Sequence, residues 1–185
     1  MAEYYLIAQL PSLDGLSDNM PVPITEERFL ELCGNFLGKK AQDELGKVSL
    51  VPSREYEKFS SKLIKAWNEG EQNLRLALGK VRAEKMNKQF DTQDKRLSDS
   101  LLQTARMAVE IENPMEAEKF LNHQRLEFLE TLRPMDAFAL DYVFYYRIKL
   151  KLILRIRQFD VDTGKAAYKN IYNSIMDGDR LEVMQ

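Results

Sequence analysis

Five cations packed into eleven residues are the strongest chemical signal in the chain: Arg147, Lys149, Lys151, Arg155 and Arg157, with no anion among them. On a helix, Arg147, Lys151 and Arg155 stand at i, i+4 and i+8 and share one face. Such a face suits an acidic partner or lipid headgroups; the alternative is a solvated face balanced by acidic neighbours. A second set, Glu71 and Arg75 at i,i+4 with Arg82 two turns on, reads as structural polar residues that hold their helix and orient its neighbour. Signals of other chemistry are weak. Asp162-Thr163-Gly164-Lys165 holds a Gly-Lys pair without the upstream glycine and following hydroxyl of a phosphate loop. His123 lies among polar residues with no serine or cysteine motif beside it and reads as a solvated surface histidine. Cys33 falls on an apolar stretch and reads as a small core residue. Trp67, which could line a cofactor pocket with Tyr142, is expected in the core. Carboxylates such as Glu116, Glu118, Glu127 and Glu130 are interspersed with Lys and Arg, Lys119 among them, and read as solvated, intrahelically paired residues. No nucleophile, base and orienting group occur together, so the expectation is a non-enzymatic protein with no catalytic residue and no cofactor.

Composition narrows the class. The 185 residues have 44% hydrophobic and 30% charged content, 8 Gly and 6 Pro, as expected of one folded, helix-rich domain over residues 1–185. A net charge of −2 argues against nucleic acid as a partner. One cysteine and one histidine fit neither a disulfide framework nor a zinc site, so no metal is expected and a cytoplasmic location is. No run approaches the 18 apolar residues of a membrane span, and the N-terminus lacks the basic region of a secretion signal.

The elements that must position these residues are helices. Tyr4 to Leu10 is a strand or a single buried helical turn, and residues 14–23 read as a loop. Thr25 caps a helix that carries Phe29, Leu30, Leu32 and Cys33 inward and stops at Gly34 or Gly38. A weaker helix follows over Lys39 to Leu45. The clearest pattern runs from a Ser53 cap to Met86, where Tyr56, Ser60, Leu63, Trp67, Gly70, Leu74, Ala77 and Val81 alternate in spacings of four and three. Gly70 and Gly79 cost about 1 kcal/mol each against alanine, which predicts a close approach at this seam. An internal boundary is placed near 87–95. Leu97, Leu101, Ala105, Ala108 and Val109 mark the next helix. Asn113-Pro114-Met115-Glu116 is a specific start signal for another. Asp136 is expected to cap the last long helix and Asp162 a final one. Ile148 to Leu152 alternates like a strand, but a helix from Asp136 to Asp160 places Phe138, Tyr142, Tyr145, Ile148, Leu152, Ile153, Ile156 and Phe159 on one broad face. Lys149 and Asp141 are misfits on that face, to be met from other helices or to reach the edge.

Three stretches also resemble a bacterial family usually encoded among V-type ATPase genes: Tyr4 to Leu13, Trp67 to Ala83, and Tyr145 to Lys151. That family is similar to a shortened form of the C-type subunit of the V/A-type ATPases, known in eukaryotes as the d-type subunit. The resemblance implies an all-α fold like that of the C-type subunit, which seats the rotating central stalk on the membrane rotor ring without catalytic residues. It also implies that Glu71, Asn73, Arg75 and Arg82 tie helices together. A full C-type subunit has three related bundles, and this chain has length for one or two; an echo between Trp67–Arg82 and Tyr142–Arg157 fits two repeats of roughly 75 residues. The expectation is therefore an all-α bundle of about six helices with two long antiparallel helices, peripheral to the inner membrane through its partners. Those partners would be V-type ATPase subunits of the central stalk and membrane ring, met through Arg147, Lys151 and Arg155, and the alternative is a helical adaptor or assembly factor that binds transiently.

Overall fold

The computed structural model describes residues 2–16, 20–52, 58–91, 95–158 and 168–173, and among these there is no strand. Seven helices follow in order: α1 Ala2–Gln9, α2 Glu26–Phe36, α3 Lys39–Gly46, α4 Lys62–Lys85, α5 Asp99–Glu110, α6 Pro114–Thr131 and α7 Leu140–Gln158. Residues 168–173 are also helical. The all-α expectation holds, and α1 resolves the open choice at Tyr4 to Leu10.

Local chemistry sets most boundaries. Thr25 accepts the Arg28 amide at 3.2 Å, with Glu26 and Glu27 in the first turn of α2 facing the positive end of the helix dipole. Phe29, Leu32 and Cys33 are buried as expected, whereas Leu30 is exposed, and α2 runs through Gly34 before ending at Phe36. Asn113 Oδ1 accepts the Met115 amide at 3.0 Å, and Pro114 opens α6 where its missing N–H is harmless. Two expected caps are corrected. The cap of α4 is Ser61, whose Oγ accepts the Ile64 amide at 3.3 Å; Ser60 precedes the helix, while Ser53 and Tyr56 lie outside the described residues. Asp136 accepts the Phe138 amide at 2.9 Å and forms a turn ahead of α7 instead of capping it, which leaves Phe138 exposed. The Asp162 cap and Phe159 also lie outside the described residues.

The order of side-chain pairs gives the topology. Trp67 stacks on Phe128 and Glu71 bonds Arg125, so α6 runs against α4. Glu130 meets Lys149 while Glu118 meets Arg155, so α7 runs against α6. Ser61 Oγ, at the start of α4, then donates to Asp141 Oδ1, at the start of α7, at 2.6 Å. The two longest helices therefore run in the same direction, which corrects the antiparallel expectation. Their main neighbours also differ from expectation: α4 packs most extensively on α5, and α7 on α6.

Two apolar cores result. The larger gathers α1, α2, α3, the first half of α4, the end of α6 and most of α7 around Phe29, Trp67, Leu129, Phe144 and Ile148. The smaller joins Leu74, Ala77, Leu78 and Val81 of α4 to Ala105 and Ala108 of α5 and Leu121 of α6. Both α4 and α6 serve both cores, so the change of core falls across the middle of these helices and not at residues 87–95. Val143 to Leu150 are buried without interruption, which makes α7 a helix covered on all sides. That is why its sequence alternates like a strand and yet folds as a helix.

The expected close approach at the seam is present. A Cβ on Gly70 would stand 2.3 Å from the Phe128 ring, and one on Gly79 would stand 2.5 Å from the Phe90 ring. The neighbour in each case is an aromatic ring, not the backbone of a partner helix.

Candidate functional site

Val143 to Leu150 of α7 are buried and the turns that follow are half-buried, so its cations need partners within reach. Arg147 is 4% exposed and pairs with Glu26 of α2 at 3.3 Å. Lys151, one turn on, reaches the same Glu26 oxygen at 2.7 Å. Arg155 pairs with Glu118 of α6 at 2.5 Å. The basic stripe thus finds its acidic partners inside the chain. The expectation of a free flank is corrected for Arg147, which is closed off from solvent; Lys151 and Arg155 remain half-buried.

Where the two cores meet, Arg125 bonds both oxygens of Glu71, with Nε at 3.0 and 3.2 Å and Nη2 at 3.1 Å. Arg125 Nη1 continues to Asn122 at 3.0 Å and Glu118 at 3.3 Å. Arg75 joins from the rim, its Nε 3.2 Å from Glu71. Glu71 therefore ties α4 to α6, while Arg75 pairs with Glu71 within α4. Arg82 is exposed and pairs with no carboxylate among the described residues, and Asn73 is half-buried.

A third knot closes the N-terminal loop onto the bundle. Lys149 Nζ bonds Asp14, Glu130 at 2.7 Å and the Tyr145 hydroxyl at 3.3 Å. Burial disfavours the ammonium, but the bonds to Asp14 and Glu130 outweigh it and hold the Lys149 pKa above the usual lysine range. Its hydrogen bond to Asp14 lowers that carboxyl, and at Glu130 bonds from Lys149 and Tyr145 outweigh burial with the same result. Tyr146 Oη donates to the Pro11 carbonyl at 2.8 Å, and its ring stacks on Phe29. Lys149 and Asp141 are thus met from other helices, as their odd positions suggested.

The remaining sequence candidates have ordinary places. Cys33 is buried, and burial pushes its thiol up to about 12, which removes the thiolate that reactivity requires. His123 is exposed beside Glu127 at 3.3 Å. Trp67 is in the core. Among the described residues no group of three His, Cys, Asp or Glu side chains is placed to hold a metal. Among them, too, no helix is long and apolar enough to cross a membrane.

Sequence reasoning missed Arg125, Glu118, Glu130, Glu26 and Asp14 as members of these networks. Glu118 and Glu130 looked like parts of a solvated face of mixed charge, and nothing local marks Arg125 apart from its neighbours. The usable signal was on α7: cations inside a helix with apolar residues on every side require buried anions elsewhere.

One family model matches the chain, that of "Protein of unknown function (DUF2764)", over residues 88–179. No curated protein and no solved structure matches it. The matched stretch contains α5, α6 and α7, and so Arg125, Glu118 and all the α7 cations; Glu71, Glu26 and Asp14 lie before it.

Two further surface features stand apart from the networks. Tyr4, Tyr5, Met135 and Phe138 are exposed, and the Tyr4 and Phe138 rings lie 4.7 Å apart, joining α1 to the turn before α7 in one aromatic patch. A cleft of about 490 Å³ opens between the start of α2, residues 49–50 and the end of α7, with Glu26, Ser49, Lys151, Arg155 and Gln158 among its walls.

Proposed function

We propose that the protein is a non-enzymatic peripheral subunit of a bacterial V-type ATPase that couples the central stalk to the membrane rotor ring. The observation that carries this reading is the bracing between helices: α4 to α6 through Glu71 and Arg125, α4 to α7 through Ser61 and Asp141, α6 to α7 through Glu130 and Lys149, and α2 to α7 through Glu26 and Arg147. A coupling body has to resist sliding of one helix on another, and a buried ion pair does so because a shift leaves an uncompensated charge. The resemblance of Tyr4 to Leu13, Trp67 to Ala83 and Tyr145 to Lys151 to a bacterial family usually encoded among V-type ATPase genes, itself similar to a shortened C-type subunit, supports the same reading. The protein then works on the cytoplasmic side, peripheral to the inner membrane through its partners. Since Arg147 is closed off and Lys151 and Arg155 are half-buried beside Glu26 and Glu118, contact with stalk or ring falls chiefly to the exposed aromatic patch.

The exposed patch also favours a second reading, a helical adaptor or assembly factor that docks transiently through Tyr4, Tyr5 and Phe138. Recovery of ATPase subunits with the tagged full chain tests both. A Tyr4→Asp, Phe138→Asp variant that stays folded is expected to lose them; undiminished recovery overturns the patch as the contact.

A further inference from the structure

Among the described residues, two ion-pair networks that include α7 hold more cations than carboxylates, and one end of each stands on the same cleft. Arg147 and Lys151 share Glu26, two cations to one carboxylate. Arg155, Arg125 and Arg75 share Glu118 and Glu71, three cations to two carboxylates. Among the described residues each network has one cation more than its carboxylates, and their ends, Lys151 and Arg155, stand on the wall of the cleft, with Glu26, Ser49 and Gln158 beside them. Donors are also left unmet in both networks among the described residues: Nε and Nη1 of Arg147, behind the cleft wall, and Nε of Arg155, on it, are buried with no hydrogen-bond partner there. An orphaned guanidinium N–H is costly, and burial disfavours the charge of Arg147.

We propose that this cleft binds a phosphate group. A phosphate monoester carries about −1.5 to −2 charges in one compact group at neutral pH, which suits the two cations side by side on the cleft wall, Lys151 and Arg155, and its oxygens accept from ammonium and guanidinium alike. A single carboxylate would leave one of the two cations unmatched. The volume of about 490 Å³ admits the group with part of the molecule that carries it. The site is independent of the aromatic patch and of the coupling role.

The test is titration of the full chain at low salt with inorganic phosphate, against sodium chloride at matched ionic strength, followed by calorimetry and by thermal unfolding. The expected result is saturable binding with a rise in Tm that chloride does not give. Lys151→Gln, Arg155→Gln should weaken it by roughly tenfold or more, the loss of two charge-assisted contacts. Lys151→Arg should retain it, which separates lost recognition from lost folding, and Arg106→Gln, an exposed position on α5 beside the other core, should leave it unchanged. Glycerol phosphate and phosphatidate vesicles, applied to the same variants, assign the group to a soluble molecule or to a lipid headgroup. No saturable binding of any of the three, an equal response from the double variant, or preference for a glutamate-rich peptide over phosphate would overturn the proposal.

Discussion

Arg125 of α6 and Glu71 of α4, fifty-four residues apart in sequence, form a bidentate pair between the two apolar cores, with the Glu71 side chain 2% and the Arg125 side chain 7% exposed. The pair fixes the register of α6 on α4 at the level where the two cores divide.

Removing one partner strands the other charge in the interior. Arg125→Met alone is expected to destabilise the fold by about 3–5 kcal/mol, while Glu71→Met combined with it recovers most of the loss. Urea denaturation of the two single variants and the double one measures this. A double variant as unstable as the sum of the singles would contradict it.

The two seam glycines should respond differently to alanine. At Gly70 the obstructing Phe128 ring is half-buried and stacked on Trp67, so the ring has little room to yield. Gly70→Ala should cost about 1–3 kcal/mol in spite of the gain in helix propensity. At Gly79 the obstructing Phe90 ring belongs to an exposed residue outside the helices and can swing away. Gly79→Ala should be neutral or stabilise by up to about 1 kcal/mol. Thermal unfolding of the two variants side by side decides.

Acid should loosen the knot around Lys149. The folded pKa values of Asp14 and Glu130 lie below their ordinary ones, so their contribution is present above about pH 4 and is lost as the pH falls through the lowered values. Lys149 has the opposite sign: its raised pKa means that its contribution is complete at neutral pH and fades only in strong alkali. Stability should therefore be flat near neutrality and fall below about pH 4. Asp14→Asn with Glu130→Gln should flatten that acid limb, as read from Tm against pH.

Much of the fold was legible because helix starts are written locally. Thr25 and the Asn113-Pro114 start need no tertiary information, and Leu63, Trp67, Leu74, Ala77 and Val81 face the core as the seam required. What stayed hidden depends on distant residues. The relative direction of α4 and α7 is decided by pairs such as Ser61 with Asp141, eighty residues apart, which no periodicity encodes. Which of the two readings of the basic stripe applies was hidden for a related reason. Spacing placed Arg147, Lys151 and Arg155 correctly on one face, but whether that face meets solvent or Glu26 and Glu118 depends on where α2 and α6 pack.

Cys33 should be silent in the native protein. With its thiol buried and pushed up to about 12, it is expected to react with a thiol reagent only after denaturation. Rapid modification of the folded chain would contradict the packing of α2 against α7.

The most direct test of the coupling role is the ratio of this chain to the central-stalk subunit in intact V-type ATPase, purified through another subunit and quantified by mass spectrometry. A constant ratio that survives extended washing is the predicted result. Absence from the complex, or a ratio that drifts towards zero as purification proceeds, would contradict it.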